Sequence, residues 1–277
     1  MTQALTLDAV PRTFTDGKPN AYRDLFRQQS DRIWNVDTDV DWSAGPQIPQ
    51  DRREAWLRLV NAFYGLELMG LDIIEVMMGK ATHKLRDPNF KLYLAAQAHD
   101  EARHVYWLDK YLTITDGHGR LSRMERALID RYGTMASLGP YRVESWLTST
   151  LFSENFAALF LARAIKFPGI DPLAVDLFRL TLRDEVRHVN FLNTVLPRLM
   201  DGLSAAGRAY LWQSQILLVG AAALGMRRIR DEATVLGLDT DDFKQRLTEN
   251  LDAQFKDIGI DRFLHAATLR RVIDAFV

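Results

Sequence analysis

The sequence predicts an all-α protein, a four-helix bundle with additional C-terminal helices, on three observations. Only 16 glycines and 9 prolines punctuate 277 residues, and they fall between long uninterrupted stretches. Within those stretches apolar residues recur three and four apart, the period of one helix face. No stretch alternates apolar and polar residues for long enough to read as a strand.

Residues 1–50, with Pro11, Pro19, Pro46 and Pro49, read as an irregular N-terminal arm packing on the bundle, with one short helix near Tyr22–Ser30. From Asp51 to Lys80 there is no proline, and Leu59, Phe63, Leu66, Gly70, Ile73 and Met77 keep helical spacing. Lys80–Asp87 reads as a loop. Asp87-Pro88 then supplies an N-cap followed by proline at the first helical position, for a helix to about Leu112 that ends before Asp116-Gly117. Ser122 and Glu125 form a capping box for a short helix. Gly139-Pro140 opens a long one that reaches about Lys166 and stops at Pro168-Gly169. Asp171-Pro172 repeats the cap, for a helix to about Pro197. Three further helices are expected near Ala205–Asp231, Asp241–Phe255 and Arg262–Ala275. The bundle thus occupies residues 51–200, and residues 201–277 complete the same single domain.

Composition removes several functions. Thirty-five basic against thirty-six acidic residues leave no cationic excess for nucleic-acid phosphate or anionic lipid, so neither nucleic acid nor membrane is an expected partner. The most apolar run, Ile216–Met226, has eleven residues, too few to span a bilayer. It reads instead as core or as the interface of a homodimer. With no cysteine there is no disulfide, thiolate metal site, iron–sulfur cluster or cysteine nucleophile. That composition, and a start without the basic-then-apolar pattern of a signal peptide, give a cytoplasmic expectation.

The two Asp-Pro helices are copies of one another. The pattern D-P-x11-D-E-x-R-H-V-x2-L-x3-L occurs twice, 84 residues apart, with Asp100-Glu101-Ala102-Arg103-His104 in the first copy and Asp184-Glu185-Val186-Arg187-His188 in the second. Glu and His three apart share one helix face and can bind one metal ion. Carboxylate-rich sites with one imidazole per metal suit iron or manganese better than zinc or copper. A single E-x-x-H is a weak signal, far more often a solvated helix face than a ligand pair. A di-metal bundle needs a carboxylate from each of the other two long helices as well.

Hairpin geometry selects them, since residues at one level of an antiparallel pair are equidistant from the loop. The midpoint of Glu67 and Glu101 is residue 84, inside the first loop, and that of Glu154 and Glu185 lies between Gly169 and Ile170, inside the second. Glu75 is a rival to Glu67, with its midpoint at residue 88, the loop's edge. Glu67 and Glu154 sit in apolar company, where an isolated carboxylate carries a heavy desolvation penalty unless it is paired or metal-bound. Glu144, near its helix start, reads as solvated. His83, His118 and His265 lie at loops or helix ends, and His99 points about 200° away from Glu101.

With these residues the sequence resembles the ferritin-like di-iron carboxylate superfamily. The paired D-E-x-R-H motifs are similar to those of bacterial multicomponent monooxygenases and acyl-carrier-protein desaturases, over roughly Ile33 to Arg198. The resemblance implies a ferritin-like bundle holding two irons, with a mixed Mn/Fe pair as the variant. It implies Glu101 and Glu185 as bridging ligands, Glu67 and Glu154 as terminal ones, and one nitrogen to each metal from His104 and His188. Asp100 and Asp184 would accept hydrogen bonds from these imidazoles, crosswise between the two motifs, and Arg103 and Arg187 would pair with carboxylates of the same network. The segment Ile33-Trp34-Asn35 through Asp39-Val40-Asp41-Trp42 to Arg52-Arg53-Glu54 resembles the ribonucleotide reductase small subunit and its ligand-binding oxidase relatives.

Departures from each subfamily are equally specific. The reductase's radical tyrosine, four residues after the first motif histidine, is Leu108 here. The oxidases' cross-linking tyrosine is Ser149, the monooxygenases' pocket threonine is Ala158, and the further histidine of aryl-amine N-oxygenases is Thr181. The expectation is an oxidoreductase that activates O2 to hydroxylate, desaturate or otherwise oxidise a largely apolar small molecule, with ferritin-like ferroxidase activity or iron storage as the alternative. Phe63 and Leu71 flank Glu67, Leu108 follows His104, and Ala158 and Leu192 follow Glu154 and His188, none of them charged; Ala157 and Ala158 leave room beside the third carboxylate. No G-x-G-x-x-G or P-loop is present, so electrons are expected from a separate donor.

Overall fold

The computed structural model describes residues 21–276 apart from residues 86, 137, 168 and 169. The first twenty residues of the arm, with Pro11 and Pro19, and the Pro168-Gly169 stop lie outside the described residues, as does the side chain of His83. The helices in chain order are α1 (Ala21–Ser30), α2 (Arg53–Leu85), α3 (Pro88–Ile114), α4 (Arg123–Ala136), α5 (Arg142–Ala164), α6 (Pro172–Met200), α7 (Ala205–Val235), α8 (Thr240–Ile258) and α9 (Ala266–Phe276). No strand occurs among the described residues.

The starts follow their local chemistry. Asp87 accepts the Asn89 amide at 3.0 Å, and Asp171 accepts that of Leu173 at 3.2 Å. Before α4 the Ser122 amide donates to Glu125 at 2.7 Å, while the Glu125 amide donates to Ser122 Oγ at 3.2 Å. α2 runs beyond the expected Lys80 to Leu85, because neither glycine nor proline occurs between Lys80 and Asp87-Pro88. There the residue preceding proline is turned away from the helical region. α6 passes through Pro197 to Met200, carrying the proline in its last turn.

Helices α2 and α3 form one antiparallel hairpin and α5 and α6 the other; α3 meets α6 at the centre of the bundle. α1 lies across α3 and α6. On the opposite side α4 covers α2 and α5, and α7 packs along α2, α4 and α5; α8 and α9 close the outer face. The apolar core runs through all these layers, with Trp107, Tyr93, Phe90, Phe178 and Phe191 fully enclosed.

One expectation is corrected here, and one is refined. Glu144 is buried, not solvated, and forms an ion pair with Lys84, since α5 begins against the extended end of α2. The core reading of Ile216–Met226 holds for Leu218, Val219 and Ala223, which are buried, while Ala221, Ala222, Gly225 and Met226 wall a cavity. The surrounding segment, Ala205–Arg227, is by length and composition apolar enough to cross a bilayer, a wider stretch than the eleven-residue run alone indicates.

Candidate metal centre

Each hairpin delivers two carboxylates and one imidazole to the bundle axis. Glu67 comes from α2, Glu101 and His104 from α3, Glu154 from α5, and Glu185 and His188 from α6, and all six are buried. Ligand atoms of Glu67, Glu101, His104 and Glu185 lie within 4.8 Å of one another, as do those of Glu101, Glu154 and His188. Glu75 is exposed and outside both groups.

The oxygens are shared in an ordered way. His104 Nδ1 lies 3.3 Å from Glu67 Oε2, 3.5 Å from Glu101 Oε2 and 3.4 Å from Glu185 Oε1. His188 Nδ1 lies 3.3 Å from Glu154 Oε2, 3.3 Å from Glu101 Oε1 and 3.2 Å from Glu185 Oε2. Glu101 and Glu185 thus present one oxygen towards each histidine, whereas Glu67 faces only His104 and Glu154 only His188. Glu185 Oε1 is buried without a hydrogen-bond partner, as expected of an atom awaiting a cation.

The remaining imidazole nitrogens point the other way. His104 Nε2 is 3.3 Å from Asp184 Oδ2, and His188 Nε2 is 3.4 Å from Asp100 Oδ2, each reaching the aspartate of the other motif. Arg103 contacts both aspartates, closely at Asp100 and at 2.8 Å for Asp184. Arg187 does the same, closely at Asp184 and at 3.2 Å for Asp100. Two anions and two guanidiniums therefore form a charge-balanced quartet behind the histidines, fixing which imidazole nitrogen faces the carboxylates.

Sequence reasoning missed three polar partners. Gln29 Nε2 of α1 donates to Asp100 Oδ2 at 2.6 Å, and Trp34 Nε1 donates to Asp184 Oδ2 at 2.8 Å, so the arm caps the quartet. Gln97, one turn before Glu101, donates to Glu154 Oε1 at 3.1 Å. Gln97 stands four residues before Glu101 on one helix face, a spacing that could have marked it, whereas nothing local marks Gln29. Thr181 is committed elsewhere: its Oγ accepts the Trp107 indole N–H at 3.1 Å and donates to the Leu177 carbonyl at 3.0 Å.

The electrostatics match a site built for cations. Burial, then the Glu67 charge, pushes the Glu101 carboxyl up to about 7. Burial and the Glu154 charge hold Glu185 well above the ordinary carboxylate value. Burial opposes protonation of the imidazoles, but Glu67 beside His104 and Glu154 beside His188 outweigh it and raise both well above the usual histidine value. Against its own burial, Asp100 is held down at about 2 by the hydrogen bond and charge of His188. Four carboxylates so close in a dry interior need either protons or metal ions, and two divalent cations would neutralise all four. The donor set therefore fits a pair of iron or manganese ions, which prefer oxygen with limited nitrogen.

Beside these carboxylates lies a cavity of about 180 Å³ that also takes in Gln97. Its walls are Phe63, Leu66, Met69, Ile73 and Ile74 from α2, Leu128, Ile129 and Tyr132 from α4, Trp146, Phe152, Phe156 and Ala157 from α5, and the α7 residues named above. Of the wall residues expected from helix spacing, Phe63 and Ala157 contribute. Leu71, Leu108, Ala158 and Leu192 lie outside the lining, because the cavity opens towards α4 and α7.

Comparison with known proteins agrees with this geometry. The sequence model of the family described as P-aminobenzoate N-oxygenase AurF matches residues 66–257. Among solved structures, a mutant R2-like ligand-binding oxidase with aerobically reconstituted Mn/Fe cofactor superposes with a TM-score of 0.71 at 17% identity, covering 88% of this chain and 95% of that chain. Another mutant, with an Fe/Fe cofactor, gives 0.66 at 20% identity and the same coverage. No curated protein matches the chain in sequence.

Proposed function

The chain belongs to the family described as P-aminobenzoate N-oxygenase AurF, and from that membership we propose that Glu67, Glu101, His104, Glu154, Glu185 and His188 hold the two metals of an O2-dependent oxygenase whose substrate occupies the adjoining cavity. The fold is ferritin-like, the enzyme class is di-iron oxidase or oxygenase, and the reaction consumes O2 and a small molecule. Within this reading Glu101 and Glu185, each offering one oxygen to either side, would serve both metals, and Glu67 and Glu154 would each serve one. N-oxygenation is the reaction named for the family, and an amine is the first substrate to try.

When bound, a pair of iron ions would supply the redox chemistry through which electrons from a donor reach O2. The chain's own residues do the rest. Asp100 and Asp184 fix the imidazole orientation through hydrogen bonds at Nε2, and Arg103 and Arg187 each pair with both aspartates. Gln97 holds one oxygen of Glu154, limiting how that carboxylate can swing. The apolar walls exclude water and stray protons from the reacting face. We assign the electrons to an external donor and the chemistry to the cytoplasm.

The observation that carries this reading is the continuity of a mostly apolar cavity with all four carboxylates. An iron-storage route would need hydrated acidic steps leading inward instead. The test is to load the protein anaerobically with ferrous iron, admit O2, and follow O2 uptake and the optical spectrum with and without small amines. Substrate-dependent consumption supports an oxygenase. Oxidation of many irons per chain into mineral, indifferent to any organic molecule, would refute it.

A further inference from the structure

Two features of the cavity meet at its metal end. The first is Gly70 of α2, which lines the cavity three residues beyond Glu67. A Cβ built there would have one heavy-atom neighbour within 4 Å, Glu101 Oε2 at 4.0 Å. The backbone does not call for glycine, since Gly70 lies inside continuous helix, and a glycine in a helix interior is less stable than alanine. Gly65, on the same helix, is different: a Cβ there would press on Ile129 Cδ1 at 2.8 Å. Gly65 lets α4 approach, whereas Gly70 leaves room beside a metal-facing carboxylate that a side chain would take up.

The second is Gln97 of α3. Glu67 and Glu101 share a level of the antiparallel α2–α3 hairpin, so Gly70 and Gln97 stand level with each other to within one residue, on the side of the connecting loop. Gln97 is only 2% exposed, yet it borders the cavity. Its Nε2 donates to Glu154 Oε1 at 3.1 Å. A carboxylate that ligates a metal can only accept, so the amide is held with its nitrogen towards Glu154 and its oxygen turned away. No donor among the described residues reaches that oxygen, and it is not one of the unpartnered atoms sealed inside the protein, so it fronts the open cavity. An enclosed acceptor of this kind favours a ligand that brings the missing donor and penalises one that cannot.

We propose that Gly70 and Gln97 form the seat for the reacting end of the substrate. Gly70 opens the space beside Glu101, and the Gln97 carbonyl accepts a hydrogen bond from an N–H or O–H donor placed there, which orients that group beside the metals. The proposal deepens the oxygenase reading and rests on its di-metal centre, but it concerns binding and needs no turnover. It sets no condition on the far end of the substrate. The test is calorimetric titration of aniline and toluene, which differ in one amino against one methyl group, into manganese(II)-loaded protein under argon, with metal analysis of each variant. Gln97→Met, which keeps the length of the side chain and removes its carbonyl, should retain both ions and leave toluene unchanged. It should weaken aniline roughly three- to tenfold, the worth of one neutral hydrogen bond. Gly70→Ala should retain both ions and melt no lower than the parent, yet weaken both probes by about threefold or more, because its methyl group occupies the seat. A check without any variant uses N,N-dimethylaniline, which has lost both N–H donors and gained apolar surface. The parent should bind it about threefold or more weakly than aniline. Equal losses of aniline and toluene in Gln97→Met, unchanged binding in Gly70→Ala, tighter binding of N,N-dimethylaniline, or no binding of any probe overturns the proposal. Loss of manganese from Gln97→Met would reduce the residue to a support for Glu154 and overturn it as well. A parent protein that takes up no manganese would remove the di-metal reading itself, whereas a loaded parent that fails these comparisons removes only the seat, so the two failures are distinguishable.

Discussion

Asp184→Asn is the sharpest test of the charge quartet behind the histidines. Four donors converge on this carboxylate: Trp34 Nε1 at 2.8 Å, Arg103 at 2.8 Å, His104 Nε2 at 3.3 Å, and Arg187 in closer contact. Asparagine keeps the shape, but it turns a donor towards donors and leaves two guanidiniums, each 5% exposed, to share Asp100 alone. Breaking a buried ion pair by removing one partner costs about 3–5 kcal/mol. At about 2–4 °C per kcal/mol for a chain approaching this size, the metal-free protein should melt roughly 6–20 °C lower. Against its burial, the hydrogen bonds from His104, Trp34 and Arg103 depress the Asp184 carboxyl. Its stabilisation is therefore complete above the unfolded aspartate value of about 3.9 and fades as pH falls towards the lower folded value. The gap between parent and variant should accordingly be flat from about pH 7 to 5 and close below about pH 4. Scanning calorimetry across that range reads it, with the exposed pair Asp176–Arg179 as control. Asp176→Asn should shift stability by no more than about 1 kcal/mol. A variant Asp184→Asn melting within a degree or two of the parent at neutral pH would refute the reasoning.

The other predictions concern stoichiometry and backbone. After anaerobic loading, Glu101→Ala and Glu185→Ala should lose both metals, because each carboxylate faces both histidines, while Glu67→Ala should retain the metal on the His188 side. Metal analysis showing two ions per chain in either bridging variant would overturn that assignment. Gly139 has φ +88°, and a Cβ there would lie 1.9 Å from the Tyr210 hydroxyl. Gly139→Ala should destabilise the protein by about 1–3 kcal/mol in urea unfolding, and an unchanged midpoint would show that the α4–α5 connection tolerates another conformation.

What could be read from the chain divides along a physical line. Relations within one helix or across one short hairpin are encoded by spacing. The E-x-x-H pairs, the capping box and the midpoint argument depend only on helical rise and loop position, and the structure brings the same six side chains together. The hairpin estimate picks the carboxylate that the structure brings to Glu101, although α2 is five residues longer than expected and the midpoint, residue 84, falls in its last turn rather than in the loop. Relations between helices that are not consecutive have no such ruler. Gln29 meets Asp100 from 71 positions away, and the Lys84–Glu144 pair forms between the ends of two separate hairpins. A polar residue near a helix end, as Glu144 is, carries no local sign of the neighbour that will cover it. The cavity is the strongest case. Its outer walls come from α4 and α7, helices outside the repeat, whose apolar faces read as ordinary core. The repeat constrains the metal ligands tightly because four carboxylates and two imidazoles must meet within a few ångströms. The walls have only to be apolar and the right distance away, and many sequences satisfy that. The chemistry of the centre is therefore legible from the motif, whereas the shape of the space beside it is written in side chains of α4, α5 and α7 whose placement only the folded chain reveals.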